Sequence, residues 1–211
     1  MPQTDTKTRI LNAAEQRFAR DGYHMTSLRT LTEQAKVNLA AVNYHFGSKE
    51  GLLKAVIDRR LHPLNDLRQK KIEAILTIAA SSKGLPQARE LLIAFIKPTL
   101  DFRNSGAGAE DFIALVGRSL SEPDETVRNC FIEQVLPIFR LLYDSLHKAL
   151  PELPASILMI RLQFIMGAMS HMMCSGSQRV KLIPGFPEPL SDEQMIEELV
   201  NFVTAGLEAP C

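Results

Sequence analysis

Tryptophan is absent from the 211 residues, and aromatic side chains make up only 6% of them. Cysteine is scarce as well. Cys130, Cys174 and Cys211 are odd in number, widely spaced, form no CxxC pair and stand beside no histidine cluster. Such usage excludes a disulfide framework and a cysteine-type zinc site, and fits free or buried thiols in a reducing compartment. A charge of one sign is missing too: 24 basic residues balance 24 acidic ones, so bulk charge marks no partner. The opening Met1-Pro2-Gln3-Thr4-Asp5 is polar and lacks the charged-then-apolar order of an export signal. No long apolar run is uninterrupted. The most apolar stretch, Leu153 to Cys174, carries Arg161, Gln163 and His171, which argues for a buried or interface helix rather than a membrane span. A cytoplasmic location is the expectation.

Period-two alternation is also lacking, and β-branched runs are short. What remains is helical spacing throughout, which predicts an all-α chain of about nine helices. The 45% apolar content is enough for a sizeable core. A first helix is expected from about Thr6 to Asp21, with Ile10, Leu11, Ala14 and Phe18 on one face and Gly22 as its stop. Leu28, Leu31 and Ala35 mark a short second helix that Thr26 or Ser27 can cap. After a break at Lys36-Val37-Asn38 comes a third, about Leu39 to His45. Ser48 can then cap a fourth helix that buries Leu52, Leu53, Val56, Ile57 and Leu61. Pro63 is expected to kink or break it. Apolar spacing resumes at Leu64, Leu67, Ile72, Ile75 and Leu76. Further helices are expected at about Pro86–Phe102, Glu110–Ser121, Asp124–Leu150, Ala155–Ser175 and Ser191–Leu207, with loops at Asn104–Gly108 and Ile183–Pro189.

Charge is uneven along the chain. Residues 1–60 hold ten lysines and arginines against six acidic residues, leaving the remainder with the opposite imbalance. A basic N-terminal segment suits local contact with a polyanion. Within it, two short helices joined by a tight turn and braced by another are the parts of a helix-turn-helix. On the second short helix, Val42 and Phe46 are spaced to pack inward, leaving Leu39, Ala40, Ala41, Asn43 and Tyr44 facing outward. Small side chains let a helix enter a major groove, Asn can bond base edges, and Ala or Leu can touch a thymine methyl. Thr26, Tyr44, His45 and Lys49 are donors suited to phosphate oxygens. Tyr44 has the alternative of packing against the helix from Ser48, and His45 that of capping its own helix.

The residues Ile10-Leu11-Asn12-Ala13-Ala14, Phe18, Asp21-Gly22-Tyr23, Thr26-Ser27-Leu28-Arg29, Ala35, Val37-Asn38 and the run Val42 to Leu53 (VNYHFGSKEGLL) give residues 6–53 a close resemblance to the N-terminal domain of the TetR family of repressors. The resemblance implies a homodimer with a DNA-binding domain at 1–53 and a ligand-binding and dimerisation domain at 54–211. It implies that Thr26, Ser27, Arg29, Tyr44, His45 and Lys49 meet phosphates, and that Asn38, Leu39, Ala40, Ala41 and Asn43 meet bases of a double-stranded operator. It also implies a dimer interface formed by the last two long helices. The helix Ala155–Ser175 is apolar nearly all round, which fits cover from both its own core and a partner, or else a place at the centre of one subunit's core. Phe95, Phe102, Phe112, Leu115, Phe131, Phe139, Tyr143, Met166 and Met169 are candidates to line an effector cavity, or are ordinary core. Arg118, Arg140 and Arg161, set in apolar helices, either pair with a ligand anion or are surface or ion-paired residues. Val37 to Lys49 also resembles the branch of the family that responds to fatty acids or acyl-CoA.

The expected function is therefore a ligand-responsive regulator, a repressor released by a small apolar effector. The alternative is a helical small-molecule or lipid-binding protein without DNA binding. No HExxH, paired His/Cys set or phosphate-binding glycine loop points to an enzyme, a metal or a cofactor. The five histidines share no helical face at metal spacing.

Overall fold

A computed structural model gives the structure of the chain and describes residues 5–102, 106, 108–121, 125–174 and 190–210; for 118–121 and 174 it describes the backbone alone. The described residues form nine α-helices and no strand: α1 (Thr6–Asp21), α2 (Leu28–Ala35), α3 (Leu39–Phe46), α4 (Lys49–Ser81), α5 (Ala88–Phe102), α6 (Ala109–Ser121), α7 (Glu125–Ala149), α8 (Ala155–Cys174) and α9 (Asp192–Glu208). The loop expected at Ile183–Pro189, most of that at Asn104–Gly108, and the thiols of Cys174 and Cys211 lie outside the described residues.

The chain divides into two compact units. One holds Met1–Pro63 with Ser105–Pro137, the other Leu64–Asn104 with Ile138–Cys211. Both crossings made within a helix fall at a proline, Pro63 in α4 and Pro137 in α7. Compactness therefore follows a different line from the boundary of role expected at residue 53.

In the first unit α1 is the central strut. Ile10, Leu11, Ala14 and Phe18 are buried, and α1 packs against α2, α3 and α6. Gly22 stops α1 at φ 83°, a left-handed conformation that favours glycine, and its N–H bonds Phe18 O at 3.2 Å. Phe112 and Leu115 of α6 are buried in the same unit. Between α1 and α4 lies a buried ion cluster. Glu15 accepts from Arg59 Nη2 at 2.6 Å and from Arg60 Nε and Nη2 at 2.7 and 2.8 Å. The Glu15 side chain keeps only 4% of its surface in solvent. Its bonds hold the Arg60 guanidinium above its ordinary pKa, whereas at Arg59 the cost of burial outweighs the same attraction and lowers it. Gly108, at φ 87°, lies against this pair: a methyl group there would collide with Arg60 and sit 2.8 Å from Glu15 Oε2.

In the second unit α5 packs on α8 and α9, which pack on each other. Leu91, Leu92, Phe95 and Ile96 of α5, Leu158, Leu162 and Ile165 of α8, and Leu199, Val200 and Val203 of α9 are buried. Ser191 caps α9 reciprocally with Gln194. Arg161 closes the other end of α9, donating to Leu207 O at 2.8 Å and Ala209 O at 2.6 Å, so its guanidinium serves helix termination.

Of the kink or break expected at Pro63, the break does not occur: α4 runs through it as one helix of 33 residues. Proline removes one backbone donor, and buried Leu61 and Leu64 on either side keep the helix packed through that gap. The inward register after Pro63 is also not that of Leu67, which is exposed. Leu64, Arg68 and Ile72, each four residues apart, are buried instead.

Candidate functional site

The segment from α2 to α4 is built from caps and one sharp turn. Ser27 Oγ accepts from Thr30 N at 3.1 Å, so Ser27, not Thr26, caps α2. Lys36 adopts φ 52°, unusual for a side chain other than glycine, and ends α2. Val37 N–H turns back to Thr32 O at 3.0 Å. Asn38 Oδ1 then accepts from Ala41 N at 2.9 Å and starts α3. Gly47, at φ 74°, ends it, and Ser48 Oγ accepts from Gly51 N at 3.0 Å to start α4. Gly51 is there because nothing larger fits, as a methyl group would collide with the carbonyl oxygen of Phe46. The α3–α4 corner is therefore held at a close backbone approach.

Within that frame α3 buries Val42 and half-buries Phe46. Leu39, Ala40 and Asn43 are exposed, Ala41 is half-buried, and Tyr44 keeps 86% of its surface in solvent. Packing of Tyr44 against α4 is thus not observed. His45 is half-buried, with its ring edge-on to Tyr44 at 5.1 Å between centroids. Arg29 is exposed on α2 and bonds Glu33 at 3.1 Å.

One of the expected DNA-contacting residues is occupied otherwise, and a second is occupied in part. Thr26 is 2% exposed, and its hydroxyl donates to Gly22 O at 2.8 Å and lies 3.3 Å from Arg17 O. A buried hydroxyl spent on backbone carbonyls ties the start of α2 to the end of α1 and is not displayed to a phosphate. Asn38 is exposed and has its side-chain oxygen engaged as the α3 cap. Sequence reasoning gave both residues donor or base-reading roles because cap and contact draw on the same polar residue types.

Tyr23 had no role assigned in the sequence reading. Its ring lies under Lys49, whose Nζ is 4.3 Å from the ring centroid and 3.4 Å from His24 O. The cation is held near the α3–α4 corner by a face of π-density and a carbonyl. A second brace joins α1 to α2: Arg17 Nε donates to Gln34 Oε1 at 2.5 Å, and Gln34 Nε2 to Gln16 Oε1 at 2.9 Å.

The residues expected to line an effector cavity are divided between the two units. Phe112, Leu115 and Phe131 belong to the first; Phe95, Phe102, Phe139, Tyr143, Met166 and Met169 belong to the second. Phe95 and Met169 are buried, while Phe102, Phe139, Tyr143 and Met166 are half-buried. Tyr143 stacks on His147, with centroids 6.2 Å apart. Arg118 lies on α6, but its side chain is outside the described residues. Arg140 is exposed on α7. Sequence reasoning passed over Arg68, which is buried between α4 and α5; an arginine at an inward position of a helical apolar stripe was the available signal.

Comparison with known proteins finds matches over two stretches of the sequence. The pattern described as "Bacterial regulatory proteins, tetR family" matches residues 10–56, and that described as "Tetracyclin repressor-like, C-terminal domain" matches residues 93–206. The regulator UidR of Escherichia coli K12 is 38% identical over 52 residues, 25% of this chain and 26% of that protein, so the match spans about a quarter of the relative. The regulator SrpR of Pseudomonas putida is 28% identical over 140 residues, 64% of this chain and 65% of that protein. Among solved structures, the fatty acid degradation regulator FadR from Bacillus halodurans superposes with a TM-score of 0.70 at 14% identity, covering 100% of both chains. FadR from Bacillus subtilis in complex with stearoyl-CoA gives 0.69 at 15% identity, covering 94% of this chain and 98% of that one. The structural likenesses speak to the fold, and the sequence patterns carry the assignment: the chain belongs to the TetR family of bacterial regulatory proteins.

Proposed function

We propose that the chain is a homodimeric, effector-responsive repressor of transcription that reads a palindromic operator with α3. The observation that carries this reading is the outward display of Leu39, Ala40, Asn43 and Tyr44 on a helix fixed at both ends by caps. Residues 1–53 read DNA, and residues 54–211 take the effector and dimerise. Ala40, Ala41 and Leu39 allow close approach and contact thymine methyls, and Asn43 bonds a base edge. Ser27, Arg29, Tyr44, His45 and Lys49 meet phosphates, with Tyr23 holding Lys49 in place. Thr26 acts through the local structure it ties together, and Asn38, exposed beyond its cap bond, meets the bases at the start of α3.

Dimerisation is supported by the apolar surface of the last two helices. Phe164 of α8 is 67% exposed and Phe202 of α9 is 73% exposed, beside the exposed Met159 and Ile160 of α8. Gly167 and Gly206 each have open space where a side chain would be, which admits a close helix approach. A four-helix contact across a two-fold axis covers such a face. The two reading helices then lie one turn of DNA apart, ~34 Å. An effector releases the operator in proportion to its preference for the form that cannot bind DNA. A small apolar effector is supported by the apolar interior of the second unit. The resemblance of residues 37–49 to the fatty-acid-responsive branch makes an acyl chain the first to try.

Selection of bound fragments from random duplex DNA tests this function. The expected product is a palindrome with half-sites one helical turn apart. Lys49→Ala and Tyr44→Phe should weaken all sequences alike and reduce the salt slope, whereas Asn43→Ala should relax one base position. A second reading, a helical lipid-binding protein, is favoured by α8, where Ala155–Met173 is long and apolar enough to cross a membrane. Flotation with vesicles and no enrichment of any DNA sequence would establish it instead.

A further inference from the structure

Arg68 is the least expected residue of the second unit. It stands on the buried face of α4, one turn from Leu64 and one from Ile72, and is 3% exposed. Its Nε donates to Phe95 O at 3.2 Å, its Nη1 to Asn65 Oδ1 at 2.9 Å, and its Nη2 to the Thr99 hydroxyl. Thr99 in turn donates to Phe95 O at 2.9 Å. The guanidinium carbon lies 4.2 Å from the centre of the Phe95 ring. Every one of these partners is neutral. Among the described residues no carboxylate pairs with Arg68, and of the five N–H groups a guanidinium carries, three are bonded. Leu91, Leu92 and Ile96 of α5 and Ile72 of α4 are buried as well.

A buried charge with no opposite charge is costly to keep, and a neutral side chain of similar size is often as stable or more so. Tying α4 to α5 does not call for a cation, because an amide or a hydroxyl could donate to Phe95 O as well. The charge is explained by something that arrives. Burial lowers the Arg68 pKa to about 10, which leaves it cationic at neutral pH. A planar guanidinium matches an oxyanion through two parallel bonds, and the match is strongest where water is absent. Exchange of the Asn65 amide for such a group keeps Nη1 bonded and supplies the missing negative charge.

We propose that Arg68 is the anion-receiving group of an effector site between α4 and α5, taking the carboxylate or phosphate oxygens of a ligand whose remaining surface is apolar. This rests on the assignment of an effector role to the C-terminal region, and adds to it that the effector is an acid. Phe95 flanks the headgroup and the buried leucines and isoleucines take the tail. Because α4 is the helix whose first turn carries Lys49 and Gly51, an anion drawn in at Arg68 acts on the element that begins at the reading helix.

The test uses the full chain and three probes: palmitate below its micelle concentration, palmitoyl-CoA and methyl palmitate, each followed by calorimetric melting and direct titration. Wild type should bind at least one acid ~10- to 100-fold more tightly than the neutral ester, as a charge-assisted bidentate pair would give. Preference for palmitate identifies a carboxylate headgroup, and preference for palmitoyl-CoA identifies a phosphate. Arg68→Gln and Arg68→Met should melt no lower than a few degrees below wild type and bind acid and ester alike. Using two neutral variants keeps the test decisive if one folds poorly. Retention of the acid preference in either folded variant, or equal binding of acid and ester by wild type, overturns the proposal while leaving an apolar effector intact. If wild type binds none of the three, the acyl effector class itself is wrong and the proposal goes with it.

Discussion

Replacing Glu15 by glutamine should damage the first unit more than any other single charge deletion in it. The carboxylate takes three hydrogen bonds from two guanidiniums and is nearly closed to solvent, while Arg59 and Arg60 keep 24% and 21% of their side-chain surface exposed. Deleting one partner of a buried pair costs roughly 3–5 kcal/mol, because the partner left behind stays buried and uncompensated. Here two cations are left facing each other, but their partial exposure lets water recover part of the loss, so the low end, about 3 kcal/mol, is the working figure. For a chain of this size that corresponds to roughly 6–12 °C in Tm, read by circular dichroism or calorimetry. The same argument makes a second demand. Glu15→Gln combined with Arg59→Met and Arg60→Met removes the charges together, and should recover most of the lost stability. A shift below about 2 °C for Glu15→Gln, or a triple variant as unstable as the single one, would refute the account of this cluster as a mutually dependent buried network.

Three further outcomes are expected. Gly51→Ala should push α4 away from the Phe46 carbonyl, costing roughly 1–3 kcal/mol by overpacking and lowering DNA affinity more than deletion of a single phosphate contact; unchanged affinity would show that the close corner is dispensable. Phe164→Glu with Phe202→Glu should convert the proposed dimer to monomer by sedimentation and abolish binding to a full palindrome, while a dimer that persists in the variant would place the interface elsewhere. Asp21, held down to a pKa of about 2 by its bonds from Arg20 and then Arg17, favours the folded state above the ordinary carboxylate range, an advantage lost as pH falls toward 2. An NMR titration midpoint for Asp21 near 4 would contradict that pairing.

The helices of this chain were legible because their apolar spacing is regular and their ends carry recognisable stops: Gly22 after α1, Asn38 before α3, Ser48 before α4. The segments expected from sequence and those observed differ by a residue or two at most ends, the range within which helix termini fray. The tight turn at Lys36 and the corner at Gly47 followed from the same residues. Roles were harder to read than positions. Thr26 has the chemistry to meet DNA, and the structure uses that chemistry to tie α2 to the end of α1, while Asn38 spends its side-chain oxygen on starting α3. A hydroxyl or amide names the bonds a residue can make; only burial and neighbouring carbonyls decide which bonds it does make.

Arg68 shows the opposite failure, a signal that was present and passed over. Apolar periodicity rewards Leu67 and ignores an arginine, so it places the inward face one position away from where Leu64 and Ile72 require it. Four-residue spacing from either of those buried neighbours lands on Arg68, and an ionisable residue at a position that geometry reserves for the core is worth more attention than the apolar residue beside it. The same logic separates Arg68 from Arg161, which also interrupts an apolar helix. Arg161 finds free carbonyls at the end of α9 and is thereby explained. Arg68 finds neutral acceptors but no counter-charge among the described residues. Of the two interruptions, the one that termination of a helix does not account for is the one on which the proposed effector site rests.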